Sequence, residues 1–177
     1  MSGTSKAAWF ALIPAVVLVA PPAHATTYFT PEQVQAALFP GERLTAAFHT
    51  LDNAQVSAIK KAAGVAPLSR QVKAWRSASG GWLIIDQVVG KHEFITFAVA
   101  ITASGAVRGV EIMDYRESYG DEVRLPKWRA QFTGKRANAE MRLDKDIKNI
   151  SGATLSCRHI TDGVKRLLVT HQVVLAV

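Results

Sequence analysis

The residues with the clearest capacity for chemistry lie together near the C-terminal end, in the run Ile150-Ser151-Gly152-Ala153-Thr154-Leu155-Ser156. The small residues Gly152 and Ala153 leave the hydroxyl of Thr154 unshielded. A helix that begins at this point directs free backbone N–H groups and the positive end of its dipole at a phosphate. The run is therefore predicted to hold, or to accept covalently, a phosphorylated cofactor.

Two other interpretations of the same run are available. In the simpler one, Ser151 or Thr154 is only the N-cap of an amphipathic helix, a role that serine and threonine fill in many proteins. In the other, Ser151 or Ser156 is the nucleophile of a hydrolase. The hydrolase is disfavoured because neither serine sits in a Gly-x-Ser-x-Gly elbow.

Two upstream segments accompany the run. The first is an acidic loop with a glycine, Tyr115 to Glu122, and the second is Leu125 to Lys135, which has the pattern Trp-x-x-x-Phe-x-Gly-Lys. Together with the Ser-Gly-Ala-Thr run, these segments resemble the FMN-binding domain family. That family includes the periplasmic flavin subunits of the sodium-pumping NADH:quinone reductase and of its Rnf relatives. The resemblance extends from about Phe94 to Leu168.

The resemblance implies that Thr154 carries FMN through a phosphoester bond, which a separate flavin transferase installs. It implies an electron carrier that works between a membrane-bound or periplasmic donor and an acceptor. The cofactor-binding residues that it implies are Thr154 with Ser151, Gly152, Ala153, Leu155 and Ser156 around it, the loop residues Glu117, Ser118, Tyr119 and Gly120 beside the flavin ring, and Trp128.

Further roles follow from the same resemblance. Tyr119, Trp128 and Trp82 are candidates for an aromatic surface under the flavin ring, and Lys148 or Arg158 for offsetting the phosphate charge. One position departs from the family pattern. The family commonly has an aspartate six positions before the threonine, where this chain has Lys148, with Asp146 two residues earlier as the candidate substitute.

Composition leaves one alternative function open. The net charge of +7 favours anionic partners, but the basic residues are interleaved with apolar and acidic ones, which argues against nucleic acid. A non-redox periplasmic module that binds a phosphate-bearing ligand or an anionic partner is therefore the alternative. The histidines share no metal-ligand spacing, so no metal site is predicted. The single cysteine, Cys157, is predicted to be a small buried helix residue.

The N-terminus has the pattern of an export signal. The apolar run Ala7 to Ala20 is shorter than the ~20 residues that a membrane-spanning helix needs, and Pro21 to Ala25 ends in a small-x-small cleavage pattern. Residues 1–25 are therefore predicted to be a cleaved signal peptide. Residues 26–177 are predicted to be one FMN-binding domain, located in the periplasm and not membrane-spanning.

The predicted fold is α+β, with an antiparallel-rich sheet of about four strands. The predicted strands are Gln71 to Ser77, Trp82 to Val89, Glu93 to Thr102 and Ala106 to Tyr115, with a further short one near Met141 to Leu143. Two short N-terminal helices, after Thr30 and after Asp52, and a C-terminal helix from Thr154 are predicted to pack with the sheet. Another short helix is predicted after Pro126.

Overall fold

The computed structural model describes residues 26–176, so the predicted signal peptide, residues 1–25, lies outside the described range. The fold is α+β, as predicted, and is built on an antiparallel sheet of seven strands. The strands are β1 (Thr26–Thr27), β2 (Leu44–Ala46), β3 (His49–Thr50), β4 (Gln71–Ser77), β5 (Trp82–Val89), β6 (Phe94–Ile101) and β7 (Val107–Tyr115). The helices are α1 (Pro31–Leu38), α2 (Asn53–Ala63), α3 (Pro126–Arg129) and α4 (Thr154–Thr170).

The four long strands, β4 to β7, form the continuous part of the sheet and confirm the predicted strand regions. Each of these four strands pairs with the next one along the chain. Strand β1 pairs with the outer edge of β7, and β2 and β3 both pair with β4. The three short strands were not predicted. The short strand predicted near Met141 to Leu143 was wrong, because that segment makes only an isolated bridge between Leu143 and Ile147 inside a turn.

Local signals account for the first two helices. Thr30 and Asp52 each accept a hydrogen bond from the N–H three residues later, and a glutamine at that position reaches back to form a capping box. Gly64 ends α2 in the left-handed conformation, with φ of 83°. The predicted starts of both helices, after Thr30 and after Asp52, are confirmed.

The core lies on both faces of the sheet, because β6 is buried on both sides. Ile95, Phe97, Val99 and Ile101 face a large cluster that includes α2 and α4, while Ala98 and Ala100 face a smaller one under α1. Helix α4 lies close to the sheet at Gly163. A Cβ at that position would come within 2.7 Å of Phe97 Cζ.

The register of the sheet places two loops side by side. Val89 pairs with Phe94 next to the turn of the β5–β6 hairpin, and Ile95 pairs with Tyr115 at the end of β7. The hairpin tip, residues 90–93, and the loop that follows Tyr115 therefore lie at the same end of the sheet. Within residues 26–176, no helix combines the length and the apolar character needed to cross a membrane.

Candidate functional site

The start of α4 lacks a side-chain cap. Its N-cap residue is Ala153, and no side chain accepts a hydrogen bond from the first turn. The interpretation of Ser151 or Thr154 as the N-cap is therefore wrong. Because the first N–H groups of a helix have no intrahelical acceptor, those of the Thr154 turn are available to an external anion.

The hydroxyl of Thr154 is held in place by one neighbour. Asn149 Nδ2 donates to Thr154 Oγ1 at 3.1 Å, while Asn149 Oδ1 accepts the N–H of Ile150 at 2.9 Å. This contact leaves the hydroxyl proton of Thr154 free to be donated. Gly152 is exposed with φ of 85°, so glycine serves the left-handed turn that leads into the helix.

Thr154 opens into a cavity of about 410 Å³, within the usual range for small-molecule sites. Eight of the predicted site residues line it, from two segments that are distant in sequence. Its lining residues are Lys91, His92, Glu117, Ser118, Tyr119, Gly152, Ala153, Thr154, Leu155 and Ser156. The structure thus brings the loop after β7 and the start of α4 together around one space.

Lys91 and His92 are lining residues that the sequence did not indicate. They sit at the tip of the β5–β6 hairpin and add basic groups opposite the start of α4. The basic residues predicted to offset a phosphate, Lys148 and Arg158, do not line this cavity. Lys91 and His92 are therefore the basic side chains that the structure places at the cavity.

Glu117 joins the two loops. Its Oε1 accepts the backbone N–H groups of His92 at 2.6 Å and of Glu93 at 3.0 Å. Partial burial opposes ionisation, but these N–H donors outweigh it and hold the pKa of Glu117 below its usual value of 4.5. A Cβ on Gly90 would collide with Glu117 Oε1. The Glu117 carboxylate therefore holds the loop after β7 against the β5–β6 hairpin. We call these two hydrogen bonds the Glu117–hairpin latch.

Tyr115 fixes the loop to the helix. Its buried hydroxyl donates to the carbonyl of Tyr119 at 2.6 Å. Because that proton is used, the Ser156 hydroxyl, with its Oγ 3.0 Å away, donates to the Tyr115 oxygen. Gly120, with φ of 90°, allows the same approach, because a Cβ there would lie 2.9 Å from the Cβ of Ala153. Gly120, which is not among the lining residues, therefore shapes the cavity by packing, and Ser156, which lines it, by its hydrogen bond to Tyr115.

Trp128 lies outside the cavity, although it was predicted among the cofactor contacts. Its indole Nε1 donates to the backbone carbonyl of Lys148 at 2.7 Å. The backbone N–H of Lys148 donates to Gln131 Oε1 at 2.8 Å. Its ring also packs edge-to-face on Phe132, with centroids 5.2 Å apart. Trp128 is thus a positioning residue that fixes the backbone just before the Ser-Gly-Ala-Thr run.

The remaining predicted residues are placed as follows. Ser151 is exposed beside the cavity but not among its lining residues. Trp82 packs against His171 near the other end of α4. Asp146 accepts hydrogen bonds from Lys135 Nζ at 2.8 Å and from two backbone N–H groups of its own turn. Cys157 is fully buried, as predicted, and burial raises the pKa of its thiol.

The cavity combines groups that suit a phosphorylated cofactor. The uncapped turn and the Thr154 hydroxyl suit a phosphate, Lys91 adds a positive charge and His92 a polar ring, and Tyr119 and Leu155 present apolar surface, with 84% and 41% of each residue exposed. An uncapped helix start in the wall of a cavity of this size is typical of a domain that binds a phosphorylated cofactor.

The comparisons with known proteins specify that cofactor. The model of the family described as the FMN-binding domain matches residues 90–169, from the hairpin tip to the last turn of α4. This part of the chain belongs to the FMN-binding domain family, and its cofactor is FMN. Among curated proteins, no match to the chain is found.

Proposed function

We propose that this protein is an exported electron carrier that holds FMN covalently, through a phosphoester to Thr154. The observation that carries the proposal is the position of the Thr154 hydroxyl, at the uncapped start of α4 and on the wall of the cavity. A phosphate bonded to this oxygen would accept the N–H groups of the same helical turn. One residue thus supplies both the attachment atom and the anion site.

Attachment requires that Thr154 act as a nucleophile. Its Oγ1 forms the new P–O bond to a flavin nucleotide activated as a phosphoanhydride, and the old anhydride P–O bond breaks to release the remaining phosphate group. The hydroxyl proton passes to a base of the flavin transferase. Because threonine is a poor nucleophile at its free pKa, the transferase and its metal ion supply the activation. Asn149 holds the oxygen in place.

Other residues of the chain would hold the cofactor. Lys91 would offset phosphate charge from the hairpin side and His92 would offer a ring N–H, while Tyr119 and Leu155 would offer apolar surface to the flavin ring. Bound FMN supplies the capacity to accept and release electrons. The high exposure of Tyr119 keeps this wall at the protein surface, where a redox partner could approach.

Export and partners complete the proposal. The pattern of residues 1–25 supports a cleaved signal peptide, and therefore a periplasmic location for the mature protein. A flavin transferase would act on the folded protein there, and a membrane-bound or periplasmic redox protein would exchange electrons with it. Lys148 does not obstruct this arrangement, because its backbone is held by Trp128 and Gln131 and its side chain lies outside the cavity.

The test is co-expression with a flavin transferase, followed by intact-mass and peptide analysis. We expect the mass of FMN, less one water, on the peptide that contains Thr154, and none on the Thr154→Ala variant. Thr133→Ala, which removes an exposed threonine hydroxyl away from the cavity, is the matched control and should keep the full modification. A folded wild-type protein without added mass would refute the covalent bond.

The electron-carrier role has a separate test. The flavin-loaded protein should be reduced and reoxidised reversibly, with a visible flavin spectrum that bleaches and returns. A flavin-loaded protein that is not reducible would refute electron transfer while leaving attachment intact. The non-redox alternative would then be the better account.

A further inference from the structure

A second cavity lies at the other end of α4 and takes no part in the site described above. Its volume is about 420 Å³, close to that of the cavity at Thr154. It is enclosed by the β6–β7 turn at Ser104 and Gly105, by the loop from Arg136 to Asn138, and by the end of α4 with the turn that follows it. Since α4 has 17 residues, the two cavities are separated by roughly 25 Å along the helix.

Arg136 supplies a positioned cation to this cavity. Its guanidinium donates to the carbonyl oxygen of Ser104 and, at 3.2 Å, to Ser104 Oγ, which fixes the orientation of the planar group. None of the ion pairs found in residues 26–176 involves Arg136, and no acidic side chain is among the lining residues of this cavity. The charge of the guanidinium is therefore uncompensated by any carboxylate in the described part of the chain.

His171 supplies an unused polar group. Only 6% of the residue is exposed, yet across the described residues neither ring nitrogen takes part in a hydrogen bond. Burial lowers the pKa of His171, so its ring is neutral at pH 7 and offers one donor and one acceptor. The ring lies beside Gly105, where a Cβ would stand 3.8 Å from His171 Cε1 and 3.9 Å from Arg136 Nη1. His171 and Arg136 thus flank the same point.

The end of α4 brings two polar residues to this cavity. After α4 the chain continues as a π-helical turn, His171–Leu175, which carries His171 and Gln172 to the cavity wall. Turns of this kind occur at the C-terminal ends of helices. The unpaired arginine and the unpartnered histidine are two separate observations on one cavity.

We propose that this second cavity binds a small organic carboxylate. The guanidinium of Arg136 has five N–H donors, and Ser104 accepts two of them, so three remain for a carboxylate. A charged hydrogen bond of this kind is about twice as strong as a neutral one. His171, Asn138 and Gln172 offer hydrogen bonds to further polar groups of the ligand. Ala103, Ala137 and Leu168 form an apolar wall for its carbon skeleton. The proposal does not depend on FMN.

The experiment measures binding by calorimetry and, in parallel, the imidazole resonances of the purified protein by NMR, with the His171→Gln variant assigning the His171 signals. The probes are sodium succinate and sodium benzoate, with sodium phosphate at equal ionic strength. We expect at least one carboxylate to bind and to shift the His171 resonances. The Thr154→Ala protein should give the same result, which separates this site from the flavin site.

The variants decide the site and the ligand class. Arg136→Gln should raise the Kd for the carboxylate at least about tenfold. Arg142→Gln, on an exposed arginine of the same loop region that pairs with Glu140, should leave the Kd unchanged. Binding that Arg136→Gln does not weaken, or the lack of any His171 shift, would overturn the site. Phosphate binding as tightly as either carboxylate would overturn the ligand class.

Discussion

Removal of the Glu117–hairpin latch gives the sharpest test of how the cavity is built. In the Glu117→Ala variant, the N–H groups of His92 and Glu93 lose an ionised acceptor at 2.6 and 3.0 Å. Two hydrogen bonds to a charged group are worth about 3–6 kcal/mol when they are shielded. Because Glu117 is half-exposed and water can replace the carboxylate, we expect a loss of about 2 kcal/mol in the free energy of unfolding.

The pH dependence of this loss follows from the lowered pKa of Glu117. A carboxyl whose pKa is lower in the folded state stabilises the fold above its unfolded pKa, near 4.5, and that contribution is lost as the pH falls through the folded pKa. Urea unfolding should therefore show the full difference between wild type and Glu117→Ala at pH 7. The difference should shrink steadily below pH 4.5.

A double-mutant cycle with Gly90 isolates the contact. Gly90→Ala places a Cβ against Glu117 Oε1, so it should cost about 2 kcal/mol in the wild type and clearly less in the Glu117→Ala background. Glu93→Ala, which removes a carboxylate without hydrogen-bond partners in the described structure, controls for lost charge at the hairpin. Strictly additive losses for Gly90 and Glu117, or a Glu117→Ala loss that is unchanged in acid, would refute the latch.

Three further variants test other parts of the structure. Asn149→Ala should slow flavin incorporation at Thr154 about tenfold in a timed mass assay, because it removes the hydrogen bond that positions the hydroxyl; an unchanged rate would show that Asn149 does not position it. Tyr115→Phe should cost about 1–2 kcal/mol in urea unfolding, because the buried Ser156 hydroxyl and the part-buried Tyr119 carbonyl lose their shared partner, and a neutral result would contradict this role. Gly163→Ala should lower the free energy of unfolding by about 1 kcal/mol, since the clash with Phe97 exceeds the gain in helix propensity; a more stable variant would argue against tight packing there.

The elements predicted from the sequence are those whose signals lie within them. Thr30 and Asp52 mark helix starts by their own side chains, and Gly64 marks a helix end. The long strands β4 to β7 carry β-rich runs between glycine turns. The strands β1 to β3 have two or three residues each and exist only because β7 and β4 offer them partners, so their own residues could not indicate them.

The candidate site divides in the same way. The wall formed by the start of α4 was predicted because its residues are consecutive. The wall formed by Lys91 and His92 was not, because only the pairing of Val89 with Phe94 and of Ile95 with Tyr115 brings that hairpin to the cavity. Glu117 was predicted as a flavin neighbour and does line the cavity, but its partners are backbone N–H groups that no side-chain pattern reveals.

The missing side-chain cap at the start of α4 also affects the relative stability of the protein with and without its cofactor. A serine or aspartate in place of Ala153 would stabilise α4, the longest helix in residues 26–176, by about 1 kcal/mol, whereas α1 and α2 both have full capping boxes. With FMN attached as proposed, the cofactor's phosphate takes over the cap. The apoprotein would then be the less stable form, and proteases would degrade a chain that lacks the flavin before one that carries it.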